Sequence, residues 1–123
     1  MYKGKEVIVK LSEEADRVYE ELNKIAEEEN EKGVESSFHQ TLLRSINRTK
    51  EILKANPFAG DQIPKARIPG KYSKKYEACN VWRIELADRW RMAYTITGNQ
   101  VEIITFVMDI FSHKDYDKVF GYR

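Results

Sequence analysis

Three runs in the second half of the chain alternate apolar and polar residues: Val81–Leu86, Trp90–Ile96 and Val101–Met108. Only short turns separate them, Ala87-Asp88-Arg89 and Thr97-Gly98-Asn99-Gln100. Alternation with period two sends successive side chains to opposite faces of a strand, and turns this short join only antiparallel neighbours. The runs therefore predict a meander with one apolar face, which another part of the chain must cover.

The cover lies upstream. Ala15, Val18, Leu22 and Ile25 recur at three- and four-residue steps and predict an amphipathic helix. Ser12 can cap it, Glu13, Glu14 and Asp16 suit the positive end of its dipole, and Gly33 can end it. Ser37-Phe38-His39-Gln40 has the form of a capping box for a second helix, with Phe38, Leu42, Ile46, Thr49 and Leu53 on one face and Asn56-Pro57 as its stop. Before both, Glu6–Leu11 alternates with Val7, Val9 and Leu11 on one side, a short first strand. The predicted order is β-α-α-β-β-β. This is an α+β domain spanning residues 1–123, with a helical hairpin on one face of a mostly antiparallel four-stranded sheet. Ser112–Phe120 adds a final helical turn or two.

Periodicity disappears between Asn56 and Asn80, where all three prolines lie among Lys65, Arg67, Lys71, Lys74 and Lys75. A loop this long inside a small domain is usually functional or mobile. Its cations are candidate nucleic-acid contacts, and Tyr72 and Tyr76 beside them can stack on bases or anchor the loop to the core. The overall charge of +1 hides a split. Residues 12–35 carry three basic side chains against ten acidic, and residues 36–91 carry twelve basic against five acidic. One basic surface facing an anionic partner is the expectation, with an acidic helix elsewhere.

Other classes are excluded or unsupported. No run approaches the ~20 apolar residues of a membrane-spanning helix, and Met1–Glu6 have no apolar h-region of the kind a secretory signal carries. Cys79 is the one cysteine, so no internal disulfide forms, and a cytoplasmic setting is expected. The two histidines, His39 and His113, have no zinc spacing, Asp109, Asp115 and Asp117 read as surface carboxylates, and no glycine-rich phosphate loop is present. Neither a metal nor a cofactor is expected.

If Trp82, Ile84, Leu86, Trp90, Met92, Tyr94 and Ile96 meet the helices, alternation sends Arg83, Glu85 and Arg91 to the opposite, uncovered face. The basic loop precedes that sheet and His113 follows it, so these groups can converge. RNA cleavage by internal transfer needs a base for the 2′-hydroxyl, cations for the charge developing on phosphorus and an acid for the leaving oxygen. Glu85 or His113 can be the base, Arg83 and Arg91 the cations, and His113 or Tyr116 the acid. The simpler alternative is a cross-strand ion-pair network on a wet sheet face.

Three strings, in this order, resemble the RelE/ParE toxin superfamily of type II toxin–antitoxin systems: Asn56-Pro57-Phe58-Ala59-Gly60, Val81–Leu86 running into Trp90-Arg91-Met92-Ala93-Tyr94, and His113-Lys114-Asp115-Tyr116. Ile63-Pro64-Lys65, Ile68–Tyr72 and the ending Tyr116–Tyr122 look most like uncharacterised archaeal members. The resemblance implies the RelE-like fold and, for the RNA-cleaving branch, a metal-independent mRNA endoribonuclease working on ribosome-bound mRNA. The matching site positions are Arg83, Arg91, His113 and Tyr116, with Lys65 and Arg67 as loop candidates. Glu85 stands where that branch is often basic, although some relatives use a Glu as base, and the chain is nearer neutral than is usual for these toxins. The alternative is a non-enzymatic module: a ParE-like inhibitor of DNA gyrase, or a relative without toxicity. Either form implies a cognate antitoxin covering the basic face rather than the acidic first helix. A homodimer is left open.

Overall fold

A computed structural model describes residues 1–121; Tyr122, the last residue of the family-like ending, lies outside them. The elements are β1 (Glu6–Leu11), α1 (Glu13–Glu31), α2 (Phe38–Ala55), β2 (Asp61–Gln62), a 3-10 turn (Lys65–Arg67) and α3 (Gly70–Tyr76). They continue with β3 (Trp82–Glu85), a short turn (Ala87–Arg89), β4 (Arg91–Gly98), β5 (Glu102–Phe111) and α4 (His113–Phe120). The class is α+β, as expected. No helix among the described residues is long and apolar enough to cross a membrane.

The helix signals act as anticipated. Ser12 Oγ accepts from Ala15 N–H at 3.0 Å, and Ser37 Oγ accepts from Gln40 N–H at 3.2 Å. Gln40 completes no reciprocal box, because its side chain donates to the Val34 carbonyl instead. Leu42, Ile46, Thr49 and Leu53 are buried, whereas Phe38 at the head of α2 is exposed. The first core is mainly aliphatic: Leu22, Leu42, Ile46 and Leu53 from the helices meet Met92, Tyr94, Val107 and Ile110 from the sheet.

The sheet corrects the four-stranded expectation. It has five strands in the order β1-β5-β4-β3-β2, and β1 runs parallel to β5 while the other pairs are antiparallel. The extra strand is two residues long, Asp61 and Gln62 opposite Arg83 and Trp82, too short to show any alternation. Gly60 makes its docking feasible. A Cβ there would lie 2.3 Å from the Arg83 carbonyl oxygen and 2.7 Å from the Tyr94 hydroxyl. That hydroxyl donates to the Pro57 carbonyl and accepts from Gly60 N–H, at 3.0 and 3.1 Å.

The second correction concerns the face expected to be uncovered. α3 and α4 close over it, and Ile63, Tyr72, Ala78, Val81, Ala93, Met108, Phe111 and Tyr116 form a second core. The loop between Asn56 and Asn80 thus contains a helix of only two turns, whose apolar face is Tyr72 and Tyr76, four residues apart. The tyrosines anchor rather than project. Tyr72 donates to Asp109 Oδ2 at 2.8 Å and Tyr76 to Glu14 Oε2 at 2.7 Å. The Tyr72 phenol is pushed well above its usual range by burial and by the Asp109 charge. A register shift between Ala93 and Tyr94, opposite Asp109 and Val107, leaves Met108 as an extra residue on β5. The irregularity sits on β5, so the facing of β4 is unchanged and Arg91 remains on the second face.

Candidate functional site

β3 and β4 pair antiparallel with Arg83 opposite Ala93 and Glu85 opposite Arg91. Arg83, Glu85 and Arg91 therefore share one face, as alternation requires. β5 ends opposite Arg91, at Phe111, and Ser112 caps α4 by accepting from Asp115 N–H at 3.3 Å. That cap starts α4 beside Arg91 and brings His113 and Tyr116 into the same corner.

Tyr116 is the hub. It is 1% exposed, stacked on Phe120 at 4.4 Å between ring centres and edge-on to Phe111 at 5.5 Å. Two guanidiniums lie against its ring, Arg91 Cζ at 4.5 Å and Arg83 Cζ at 5.6 Å from the centroid. Arg83 Nη1 also donates to the Tyr116 hydroxyl at 3.1 Å. Cations over an aromatic face are attracted by its quadrupole, so the ring holds two positive groups close together that would otherwise repel.

His113 sits beside them. Its Nδ1 lies 2.8 Å from Arg91 Nη1, and its Nε2 lies 3.1 Å from Arg89 Nη2 and 3.2 Å from Asp117 Oδ2. A guanidinium only donates, so Nδ1 must carry the lone pair that accepts from Arg91. In the neutral ring the proton is then on Nε2, where Asp117 accepts it. Carboxylates complete the corner: Glu85 Oε1 is 3.7 Å from Arg91 Nη2, and Asp61 Oδ2 is 3.9 Å from Arg83 Nε. Glu85 is 69% exposed while the Arg91 side chain is 12% exposed. Arg91 Nε is buried and has no hydrogen-bond partner among the described residues.

All five residues expected to carry chemistry, Arg83, Glu85, Arg91, His113 and Tyr116, thus lie in one corner. The loop cations do not join them as a group. Lys71 Nζ pairs with Asp109 at 2.9 Å, and Lys75 pairs with Glu14, which also accepts from Tyr76. These two contacts hold the Glu14 carboxyl down at about 2. Lys65 and Lys74 are exposed, and Arg67 lines a hollow with Ile68, Phe120 and Gly121 at the far end of α4. Three residues of the corner carry no assignment in the sequence: Asp61, in the aperiodic loop, Asp117 and Arg89. Asp117 was legible as the i+4 neighbour of His113 on a helix. Arg89 looked like an ordinary turn residue.

Among the described residues no group of three or more His, Cys, Asp or Glu is placed to hold a metal ion. Comparison of the chain with protein-family models, with curated proteins and with solved structures finds no match.

Proposed function

We propose that the chain is a RelE/ParE-like toxin component that binds RNA at this corner and cleaves it without a metal. The observation that carries the reading is the convergence of two guanidiniums on one tyrosine ring, with an imidazole against the second of them, Arg91. The buried Nε–H of Arg91, without a partner among the described residues, adds to it, since a buried donor without an acceptor is costly unless a ligand supplies one. A phosphodiester offers oxygens to Arg83 and Arg91 together, in the geometry guanidinium favours. When Arg91 turns its donors to the phosphate, His113 Nδ1 is released as an acceptor. It then takes the 2′-hydroxyl proton as the 2′-oxygen attacks the adjacent phosphorus. The arginines stabilise the charge on the equatorial oxygens, the bond to the 5′-oxygen breaks, and water protonates that oxygen. The products are a 2′,3′-cyclic phosphate and a free 5′-hydroxyl, and the imidazolium returns its proton to solvent. Tyr116 orients the cations, and exposed Glu85 is the competing base.

The test is expression of the wild type beside an Arg91→Ala, His113→Ala double variant, following growth and mapping new mRNA 5′ ends. Growth arrest with new ends that the double variant abolishes supports the reading. Intact RNA at high protein excess, on and off ribosomes, defeats it.

A binding module without chemistry is the second reading. The ion pairs of Glu85 with Arg91 and of Asp61 with Arg83 favour it, because they offset the positive charge a nuclease would present. Arrest with undamaged RNA and recovery of gyrase with the chain would select the ParE-like form. In both readings a cognate antitoxin would lay an acidic segment over Arg83, Arg91 and His113.

A further inference from the structure

The hairpin between β3 and β4 turns on two consecutive residues with positive φ, Asp88 at 54° and Arg89 at 63°. Trp90 N–H closes onto the Ala87 carbonyl at 3.1 Å, and Ala87 N–H is anchored on Ser45 Oγ of α2 at 3.1 Å. Positive φ at both central positions is the backbone of a type I′ turn, which matches strand twist and is usually filled by Asn-Gly or Asp-Gly. Asp88 suits the first position, because a short polar side chain tolerates left-handed backbone. Arg89 does not suit the second. Its Cβ crowds the following carbonyl, a strain glycine would not carry.

Burial does not offset that strain, for Arg89 is exposed. Its position does have a chemical consequence. Arg91 lies on the Nδ1 side of the His113 ring and Arg89 on the Nε2 side, at 2.8 and 3.1 Å. The two guanidiniums flank the imidazole. Because Nε2 gives its proton to Asp117, it has no lone pair left for Arg89, whose donors remain available to a ligand. Strain kept at an exposed residue beside a cationic corner is the pattern of function held against stability.

We infer that Arg89 is a third phosphate-binding cation of the corner, contacting the phosphate next to the one held by Arg83 and Arg91. This deepens, and rests on, the RNA-binding reading above. The strained turn then has a role: it projects the guanidinium outward, past the imidazole, along the path of a single strand.

The experiment uses the full chain and a short single-stranded RNA with 2′-O-methyl groups, which binds but cannot undergo internal transfer. Dissociation constants are measured across a salt series, with melting temperature in parallel. Arg89→Gly is expected to raise the melting temperature by about 3–6 °C. It should also weaken RNA binding about fivefold at low salt and lower the salt slope by about 0.7, the contribution of one phosphate contact on a single strand. Arg89→Asn, which tolerates the turn but carries no charge, should lose binding equally, and Arg89→Lys should keep the slope. A more stable Arg89→Gly with wild-type binding and slope overturns the inference, as does a variant whose melting temperature and binding fall together. Failure of the wild type itself to bind the RNA overturns the RNA reading and removes the inference with it.

Discussion

The two faces of the sheet are built from different materials. One is covered by helices of 19 and 18 residues and filled with Leu, Ile, Val and Met. The other is covered by helices of 7 and 8 residues, and three large rings, Tyr72, Phe111 and Tyr116, are buried there among Ile63, Val81, Met108 and two alanines. Long helices present several aliphatic side chains each, and burying them is enough to dock the element. Two-turn helices cannot do that. They dock through large rings whose polar ends reach the sheet or the first helix, as Tyr72 reaches Asp109 and Tyr76 reaches Glu14. Stability is concentrated on the first face, and polar, rearrangeable contacts on the second.

The largest expected effect breaks the first face. Leu42 is fully buried at the middle of that core, and Leu42→Ala should cost about 3 kcal/mol from lost transfer and the cavity left behind. Urea unfolding would show it as a lower midpoint at constant slope, followed identically by tryptophan fluorescence and far-ultraviolet dichroism. A variant that lost α3 and α4 first, keeping the helical hairpin, would contradict the assignment of stability to this face.

A smaller effect is expected from loosening the second face. Tyr72→Phe keeps the ring but removes the donor to Asp109, leaving that carboxylate its ion pair with Lys71. Hydrogen bonds to charged groups contribute about 1.5–3 kcal/mol, and the low end applies because Asp109 keeps Lys71. Hydrogen exchange should quicken in Gly70–Tyr76 while the amides of α2 stay protected. Uniform acceleration across both helices would show that the two cores open as one.

The tether from α3 to α1 gives the comparison a pH dependence. Lys75 and Tyr76 hold Glu14 down at about 2, against an ordinary value of 4.5. A depressed carboxyl stabilises the fold above its unfolded value and loses that contribution as pH falls through its folded value. Wild-type stability should therefore decline from about pH 4.5 toward pH 2. Glu14→Gln should flatten this part of the profile, and a stability curve of unchanged shape would count against the tether. The effect is modest, since Glu14 and Lys75 are solvent-facing and salt screens such pairs.

The same contrast explains what was legible beforehand. The first face was readable because period 3.6 sustained over five turns, with Ser12 and Ser37 at the caps, leaves an unambiguous mark. The facing of Arg83, Glu85 and Arg91 followed from period two alone and survived a bulge that fell on the neighbouring strand. The second layer was readable only in part: Ser112–Phe120 was legible as a final helix and Tyr72 and Tyr76 as candidate anchors, but not α3 itself or the covering of this face. A seven-residue helix amid prolines has no period to detect, and tyrosines flanked by lysines fit a base-stacking surface as well as an anchor. The β1–β5 pairing, which makes the sheet mixed, depends on where the helical hairpin returns the chain, a tertiary fact without a local signature. Arg89 was hidden for a different reason: its importance lies in the sign of a backbone angle. Asp117 stands in plain view, four residues beyond His113, but in sequence it reads like any surface carboxylate.

Asp117 supplies the smallest effect on stability and the sharpest test of the corner. As a partly exposed i,i+4 partner of His113 it should contribute only a few tenths of a kcal/mol to folding. Its effect on the imidazole is of another kind: with Arg91 donating to Nδ1, Asp117 accepts at Nε2, and the two together hold the proton on Nε2. With Asp117 in place, nitrogen NMR should show His113 Nδ1 unprotonated and Nε2 protonated; a His39→Gln background leaves one histidine to assign. Asp117→Ala removes the acceptor at Nε2 and should shift the ring toward a mixture of tautomers, with the melting temperature moving by no more than about 2 °C. Asp117→Asn, whose carbonyl oxygen can still accept, should restore the original tautomer. If all three proteins give the same nitrogen spectrum, Arg91 alone orients the ring, and the proton on Nε2 is set by the cation on the opposite side rather than by the carboxylate.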